Sequence, residues 1–365
     1  GKKISKSVIS SKSTEELVAA RDFIKGLLDL RKSEKLAKTY IKGTKEAIKN
    51  NGRDKIYVDF RFDGTATGRL SCAAYSAEKA MGVSFHTLPR ETENNIRSIF
   101  VGPKGYAFIT VDYSAMELRV LSHIAKEGNM QIAFNSGQDL HTYTASLLFA
   151  KDKSKVTKKE RQIAKTVSFL IVYGGGAFNL SETMGISVRQ ANKIISGYKD
   201  VYPGVFEFME FINEFIKDNK YAYTIFGRRR NLSDVDSRNF SVVNRAYRQG
   251  LNFTIQSAAS DILLCSLIGI YNEFKADELA ARVVSTVHDS IEIVCPVEEI
   301  EQVCKVIREQ MIDYPFMKEN FGIHFDVPFE IEVLVGHSFG DGIEVEYSGG
   351  GITNLKEITG YLSNE

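Results

Sequence analysis

Apolar side chains recur at intervals of three and four residues along most of the chain, and this spacing is typical of helices. Residues 15–49 carry two such stripes, with lysines and arginines on the opposite face, and predict two helices. Further helices are predicted over residues 116–124, up to three successive glycines that begin at Gly174, over several segments to about Lys220, and over residues 241–274 and 297–312. Only six prolines interrupt the chain, so the pattern predicts a helix-rich fold.

Shorter segments have the pattern of strands. Residues 56–62 alternate, residues 107–111 form an apolar run that leads into Asp112, and residues 329–335 form a last strand. Residues 282–287 and 291–294 flank a turn at His288, Asp289 and Ser290, which predicts a hairpin. A glycine-rich stretch at residues 348–351 predicts a flexible joint before a short tail.

Composition places the chain among globular proteins. It has 365 residues, of which 43% are hydrophobic and 25% charged, so we expect two or three subdomains and exclude a disordered, collagen-like or coiled-coil chain. The longest apolar run, residues 262–271, is too short to span a bilayer, and no membrane partner is expected. Four cysteines without a CxxC pair indicate a reducing compartment.

The net charge of +1 does not by itself indicate a binder of nucleic acid. Such a role therefore depends on local segregation of charge. Residues 151–165 provide one such segment, with seven basic side chains and only two acidic ones.

Two aspartates, Asp112 and Asp289, stand at the ends of predicted strands. A carboxylate just past a buried strand is held by a rigid element, and two of them together would bind two Mg²⁺ ions for displacement at phosphorus. Taken alone, an aspartate after a strand is more often a turn former or a helix N-cap. Both interpretations stay open at this level.

One predicted helix face combines cations with aromatic rings. Arg161, Lys165, Phe169 and Tyr173 recur every four residues and therefore lie on one side of the helix. A nucleoside triphosphate has the same polarity, with a polyphosphate at one end and a stacking base at the other. A solvated cationic face above a core aromatic pair explains the spacing equally well.

Other candidates are weaker when taken singly. Arg228, Arg229 and Arg230 follow a glycine and suit contact with a phosphate backbone, although arginine runs are more often ordinary surface. His141 and His288 each stand near an aspartate, where a structural histidine is the more common case. No phosphate-binding G-x-x-x-x-G-K-[ST] loop, G-x-S-x-G elbow or H-E-x-x-H helix occurs in the sequence.

Taken in order, several segments resemble the polymerase domain of family A DNA polymerases, from about residue 28 to residue 341. The matching segments are TATGRLSC, VDYSAMELRVLSHIA, DLHTYTA, RQIAKTVSFLIVYG, GRRRNLSDVDSRN, RQGLNFTIQSAASDI and STVHDSIEIV. The resemblance implies an α+β right-hand polymerase with an antiparallel palm sheet, helical fingers and a truncated helical thumb. It implies a thumb base in residues 1–50, palm in 51–140 and 241–341, fingers in 141–240, and a tail of unknown role in 342–365.

The resemblance also implies a role for each matching residue. Two Mg²⁺ ions, for which Mn²⁺ can substitute, would be held by Asp112, Asp289 and the backbone carbonyl of Tyr113, and Lys165 would assist the leaving pyrophosphate. The expected nucleotide-binding residues are Arg161, Lys165, Phe169, Tyr173, His141 and Glu117, the last as a gate against a ribose 2′-hydroxyl. The expected DNA-binding residues are Arg69, Arg228, Arg229, Arg248, Asn252, Gln256 and His288.

The chain departs from the family pattern at several positions. Ser290 stands where the family usually has the Glu of His-Asp-Glu, and we expect activity to survive with an altered metal dependence. Ser168 and Leu170 replace a common Asn and Gly beside Phe169, and Thr254 replaces a common Pro. Phe169, where some relatives carry Tyr, implies discrimination against dideoxynucleotides.

The resulting hypothesis is a template-directed DNA polymerase without a proofreading exonuclease, using primer–template DNA and deoxynucleoside triphosphates. A separate chain or a removed N-terminal region is the expected source of the thumb and exonuclease. The expected location is the cytoplasm of a bacterial or phage-infected cell, with an organelle as the alternative. Two rival hypotheses are a single-subunit RNA polymerase, against which Glu117 argues, and a catalytically silent DNA-binding scaffold, which Ser290 keeps open.

Overall fold

A computed structural model describes residues 14–51, 54–74, 83–89 and 95–363. The chain divides into two compact units. The first comprises Gly1–Arg61 and Cys72–Ile96, and the second comprises Phe62–Ser71 and Arg97–Glu365.

The first unit contains a long helical segment at its start. Helix α1 (Thr14–Lys35) continues through a wider π-helical turn (Leu36–Ile41) into α2 (Lys42–Asn51), so the two predicted helices form one uninterrupted segment. Tyr40 of the wide turn is buried, and its hydroxyl donates to the backbone carbonyl of Thr87. Strands β1 (Val58–Arg61) and β2 (Ser71–Ala74) pair with each other.

The second unit is a mixed structure in which helices surround an antiparallel sheet. Its strands are β3 (Tyr106–Tyr113), β4 (Tyr221–Tyr223), β5 (Arg229–Asn231), β6 (Arg282–Val287), β7 (Ser290–Pro296), β8 (Ile331–Gly336), β9 (Ile343–Glu344), β10 (Tyr347–Ser348) and β11 (Gly351–Ile352). Its helices are α3 (Met116–Ile124), α4 (Gly128–Asn135), α5 (Leu140–Leu148), α6 (Lys158–Val172), α7 (Ala177–Met184), α8 (Val188–Val201), α9 (Pro203–Asn219), α10 (Phe240–Ala276), α11 (Ile300–Arg308), α12 (Pro315–Phe321) and α13 (Leu355–Leu362).

The central sheet has five strands in the order β6-β7-β3-β8-β9, and every neighbouring pair is antiparallel. Side chains alternate between its two faces, because successive residues of a strand point to opposite sides. Ile109, Val111, Ile291 and Ile293 belong to the face that joins the main hydrophobic core. The opposite face of β3 carries Thr110 and Asp112.

The predicted strands and the long helix of this unit are confirmed. The hairpin β6–β7 turns at His288 and Asp289, and α10 extends the predicted helix by only one or two residues at each end. The sequence pattern missed the short pair β4–β5, whose strands are only three residues long.

Local sequence signals position helix α6. Thr157 caps its first turn by accepting a hydrogen bond from the Glu160 N–H, and the Glu160 side chain accepts in return from the Thr157 N–H. This capping box satisfies two backbone donors that would otherwise have no partner in the helix. The helix ends at Tyr173 because Gly174 adopts a left-handed conformation (φ 64°), which allows the N–H groups of Gly174 and Gly175 to bond back to the last turn.

The prediction of a flexible joint at residues 348–351 is wrong. Gly349 and Gly350, both with positive φ, form the tight turn of the hairpin β10–β11. Strand β9 extends the central sheet, and the buried side chain of Ile358 in α13 joins the main core. The segment that the sequence suggested as a tail therefore packs on the second unit.

Among the described helices, α10 alone is long and apolar enough to cross a membrane by length and composition. Its most apolar stretch of 18 residues is 78% buried within the protein. This burial is typical of the core helix of a globular protein.

We expect the substitution Gly250→Ala in α10 to lower the free energy of unfolding by about 1–3 kcal/mol. A Cβ at this position would lie 2.3 Å from the Cδ1 of Ile216 and 2.8 Å from the Cδ1 of Leu232, both in a buried cluster. The control is Gly360→Ala in α13, where a Cβ meets nothing within 4 Å, so the variant should be neutral or slightly more stable. Urea denaturation measures both variants, and equal stabilities would contradict the packing argument.

Candidate active site

The two predicted metal-binding aspartates lie near each other at the edge of the central sheet where β3 ends and β7 begins. Asp112 of β3 pairs with Ser290 of β7, and Asp289 is the residue just before Ser290 in the hairpin turn. The turn is tight because His288 adopts a left-handed conformation (φ 61°). Strand pairing therefore brings together two carboxylates that are far apart in the sequence, as predicted.

Arg69 links this edge to the start of α3. One of its terminal nitrogens, Nη2, donates to Oε1 of Glu117 at 2.8 Å and to Oδ1 of Asp289 at 3.0 Å. The amide of Gln256 in α10 donates to the same Oε1 of Glu117 at 3.4 Å. Hydrogen bonds thus link four predicted site residues, Arg69, Glu117, Asp289 and Gln256, and strand pairing places Asp112 beside the turn that carries Asp289.

Glu117 is an acidic side chain that is only 5% exposed. Burial raises its pKa, the positive charge of Arg69 opposes the rise, and the negative charge of Asp289 adds to it. Tyr173, at the end of α6, is close to the same group. Burial and the neighbouring charge of Glu117 raise the pKa of Tyr173 to about 12, so its hydroxyl stays protonated at neutral pH.

Arg161 in the first turn of α6 is held by a carboxylate. Its Nε and Nη2 both donate to Asp139 at 2.8 Å, which makes a bidentate ion pair. Asp139 also caps α5 by accepting from the N–H of Thr142. Burial opposes ionisation of Asp139, but the hydrogen bonds from Arg161 and Thr142 outweigh it and lower the pKa well below the usual range.

His141 lies between the cationic and aromatic ends of the α6 face. Its ring centroid is 6.0 Å from that of Phe169, and its Nδ1 is buried with no hydrogen-bond partner among the described residues. Burial, together with the charges of Arg161 and Lys165, lowers the pKa of His141 to about 4, although the charge of Asp139 opposes the shift. His141 is therefore neutral at pH 7 and has a ring nitrogen left for a ligand.

The predicted DNA-binding residues occupy several positions around the cluster. Arg228 pairs with Asp261 through two hydrogen bonds of 2.6 and 3.2 Å, and its guanidinium covers the backbone of Gly68, next to Arg69. Arg229 stacks on the ring of Tyr221 with the guanidinium carbon 4.9 Å from the ring centre.

The remaining members of this group lie on α10 and in the hairpin turn. Arg248 packs against Gly174. A Cβ added at Gly174 would lie 2.8 Å from the Cγ of Arg248. Asn252 lies one helical turn before Gln256, and its Nδ2 is buried without a hydrogen-bond partner in the described part of the chain. His288 is exposed beside Asp289.

Comparison with known proteins identifies the family of this chain. The family model described as DNA polymerase family A matches residues 1–341. The chain belongs to this family. The three groups of residues described above, on the sheet edge, on α6 and on α10, all fall within the matched region.

Curated relatives agree with the family model. The chain is 32% identical to DNA polymerase I of Caldicellulosiruptor bescii over 88% of its own length and 36% of the relative's length. It is 34% identical to DNA polymerase I of Bacillus caldotenax over 81% of its own length and 33% of the relative's. The chain therefore spans about a third of the length of these relatives.

A solved structure agrees on the fold. It is the polymerase domain of Pol1 from M. smegmatis in complex with DNA primer-template and dNTP, with a TM-score of 0.78 and 30% identity. The match covers 87% of this chain and 53% of that one. The mixed helical and antiparallel architecture of this chain is thus similar to a DNA polymerase I polymerase domain.

The sheet edge of this family A chain offers oxygen donors suited to Mg²⁺. The carboxylates of Asp112 and Asp289 and the backbone carbonyl of Tyr113 are hard ligands, and Mg²⁺ is commonly bound by one or two carboxylates with waters and substrate phosphates. No cluster of three or more His, Cys, Asp or Glu side chains placed to hold a metal occurs within the described ranges. The donor set therefore fits a site that substrate oxygens complete.

Sequence reasoning missed three acidic residues of this region. Asp139 and Asp261 hold Arg161 and Arg228, and Glu292 is buried in β7 close to the aspartate edge. The signal for Glu292 was a single acid inside the apolar run of residues 291–295. Asp139 and Asp261 had no such signal, because their partners are distant in the sequence.

We expect His141→Gln to change how stability depends on pH. An unfolded histidine takes up a proton near pH 6.5, whereas folded His141 does so only near pH 4, so the wild type loses stability as pH falls through this interval. Between pH 7 and pH 5 the wild type should lose roughly 1–2 kcal/mol that the variant keeps. Urea denaturation at a series of pH values measures this difference, and parallel pH profiles would contradict a neutral buried His141.

Proposed function

We propose that this chain is a template-directed DNA polymerase that adds deoxynucleoside monophosphates to a primer 3′-hydroxyl and releases pyrophosphate. The observation that carries the proposal is that Asp112 and Asp289 lie near each other at one sheet edge of a family A chain. The neighbouring group of Arg161, Lys165 and His141 on α5 and α6 suits the triphosphate of an incoming nucleotide.

In this proposal the central sheet is the palm, with parts in residues 51–140 and 241–341. The helices of residues 141–240 are the fingers, residues 1–50 are the base of a thumb, and the segment after residue 341 supports the palm sheet. We assign no proofreading activity to the residues described in this chain.

Two Mg²⁺ ions, with Mn²⁺ as a substitute, are the proposed cofactors. When bound by Asp112, Asp289 and the Tyr113 carbonyl, they would lower the pKa of the primer hydroxyl and stabilise charge on the transferred phosphoryl group. Arg69 now neutralises one oxygen of Asp289, so its guanidinium must move or share that oxygen when the site is filled.

The α6 face binds the nucleotide in this scheme. Arg161 exchanges the carboxylate of Asp139 for a phosphate, which conserves a bidentate ion pair. Lys165 protonates the leaving pyrophosphate or neutralises part of its negative charge. His141, being neutral, offers a hydrogen bond without adding to the positive charge.

The aromatic end of the same face meets the base and sugar. Phe169 and Tyr173 supply flat surfaces for the base pair that forms. Glu117 fills the space beside the sugar and excludes a 2′-hydroxyl. The ion pair with Arg69 and the weaker hydrogen bond from Gln256 fix the position of the Glu117 side chain.

The polar residues around the cluster hold primer–template DNA. We assign contacts with base edges in the minor groove to Arg69, Gln256 and Asn252. Contacts with phosphates or the primer end are assigned to Arg228, Arg229, Arg248 and His288. We propose a bacterial cytoplasm as the location, since the curated relatives are bacterial. A phage-infected cell or an organelle is the alternative.

A DNA-binding scaffold without catalysis is the second candidate function. Ser290, where the family pattern has an acid, favours it. The experiment that follows separates the two functions, because a scaffold binds the same DNA but does not extend it.

We expect the wild type to extend a templated DNA hairpin with Mg²⁺ and four deoxynucleotides, and Asp112→Asn or Asp289→Asn to reduce the rate at least about a thousandfold. Each change removes a charged metal ligand while it keeps the side-chain volume. The matched control is Asp277→Asn, an exposed aspartate after α10, which should extend like the wild type. Hairpin binding without extension by the wild type would favour the scaffold.

We expect Glu117→Ala to raise the incorporation of ribonucleotides relative to deoxyribonucleotides by roughly ten- to a hundredfold. The shorter side chain opens the space beside the sugar that the buried carboxylate now fills. Single-nucleotide incorporation with matched ribo- and deoxyribonucleotides measures the ratio, and Glu357→Ala on the exposed surface of α13 is the control. An unchanged ratio would remove Glu117 from the gate.

A further inference from the structure

Glu292 is a buried acid in the middle of strand β7. It is only 1% exposed, whereas its neighbours Ile291, Ile293 and Val294 are apolar core residues. A carboxyl group at such a position costs free energy that a valine or isoleucine would not.

Two hydroxyl groups hold the Glu292 carboxylate. Thr110 Oγ1 donates to its Oε2 at 2.6 Å, and Ser290 Oγ lies 2.7 Å from its Oε1. Ser290 Oγ is also 3.0 Å from the carbonyl oxygen of Val287. Both oxygens of the carboxylate are therefore engaged inside the sheet face that carries Asp112.

These two hydroxyls flank Asp112. Thr110 precedes Asp112 by two residues on β3, and Ser290 is the residue that pairs with Asp112 across the ladder. Glu292 itself pairs with Thr110, so the four side chains form a two-by-two block on one face of adjacent strands. Glu292 thus touches the neighbours of Asp112 both along the strand and across it.

Glu292 and Asp112 are two acidic residues on the same face of adjacent strands. Burial raises the pKa of Glu292 to about 7, and the nearby Asp112 adds to the rise while Arg97 opposes it. The two paired strands and their turn thus hold three acidic residues close together: Asp112, Asp289 and Glu292.

Ser290 and Glu292 are related by their positions on β7. Ser290 stands where the family pattern has an acid, and residues two apart on a strand share a face. The Glu292 carboxylate reaches back along that face to the Ser290 hydroxyl. An acidic group therefore lies next to the position where the family pattern has one.

We propose that Glu292, acting through Ser290 and Thr110, is a positioning residue that orients Asp112 and supplies the third negative charge of the divalent-cation site. This inference rests on the proposed polymerase function. It states that the acid has moved two residues along β7 rather than been lost, and that cation affinity depends on Glu292.

The test measures cation binding and activity separately. Mn²⁺ binding to the complex of protein and primer–template hairpin is followed by electron paramagnetic resonance, and nucleotide incorporation is followed over a Mg²⁺ titration. Glu292→Gln removes the charge and keeps the volume. The double change Ser290→Glu with Glu292→Val moves the acid to the position given by the family pattern.

Two further variants complete the set. Ser290→Ala removes the connecting hydroxyl but leaves Glu292 in place. Glu299→Gln is the matched control, because Glu299 is a half-buried acid that accepts from the N–H groups of Ala280 and Ala281, outside the metal edge. Circular dichroism melting checks that each variant is folded.

We expect Glu292→Gln to weaken Mn²⁺ binding and raise the half-saturating Mg²⁺ concentration about tenfold, with the nucleotide KM changed by less than about twofold. Ser290→Ala should act in the same direction, and the double variant should recover most of the affinity. Glu299→Gln should bind Mn²⁺ like the wild type.

Wild-type Mn²⁺ affinity in both Glu292→Gln and Ser290→Ala would overturn the proposal. So would a folded double variant that binds Mn²⁺ no better than Glu292→Gln. A wild type that extends no primer would contradict the proposed function, whereas the Mn²⁺ measurements would still decide whether Glu292 serves a cation site.

Discussion

The antiparallel pairing of β3 with β7 is the constraint on which the rest of the site depends. It sets Asp112 opposite Ser290 and thereby beside Asp289. Because side chains alternate along a strand, a slip of β3 by one residue would turn Asp112 towards the core and Val111 or Tyr113 away from it. The apolar residues of the other face, including Ile109, Val111 and Ile293, oppose such a slip, since it would expose them. Packing of the core thus determines the position of the carboxylates.

Charge pairing is the second organising feature. Arg69, Arg161 and Arg228 are each proposed to contact DNA or a nucleotide, and each is paired with a carboxylate of the protein. Arg69 pairs with Glu117 and Asp289, Arg161 with Asp139, and Arg228 with Asp261. Binding of DNA or a nucleotide would exchange these internal pairs for external ones. The net gain is then the difference between two ion pairs, which favours ligands of high charge such as polyphosphates. The pairs also explain how a chain with a net charge of +1 can hold concentrated positive charge at one site.

Much of the second unit was predictable from local pattern. The strand that ends at Asp112, the hairpin at His288 and Asp289 and the long helix α10 follow from periodicity and turn residues, and the structure confirms them. The capping box of α6 is likewise a local signal, because its two residues are three apart. The short pair β4–β5 and the hairpin β10–β11 were not predicted, since strands of two or three residues are too short to show a period.

The sequence by itself determined which residue types stand at which ends of the elements, because helix and strand periods and motif residues are local properties of the chain. It thereby determined the family resemblance and the candidate site residues. Only the tertiary structure decided which acids hold Arg161 and Arg228, and that Arg69 joins Glu117 to Asp289. It also decided that Thr110 and Ser290, the neighbours of Asp112, hold Glu292. These contacts join strands and helices far apart in the sequence, and they depend on register and packing, which no local pattern contains. A buried acid in an apolar strand was visible in the sequence, but its partners were not.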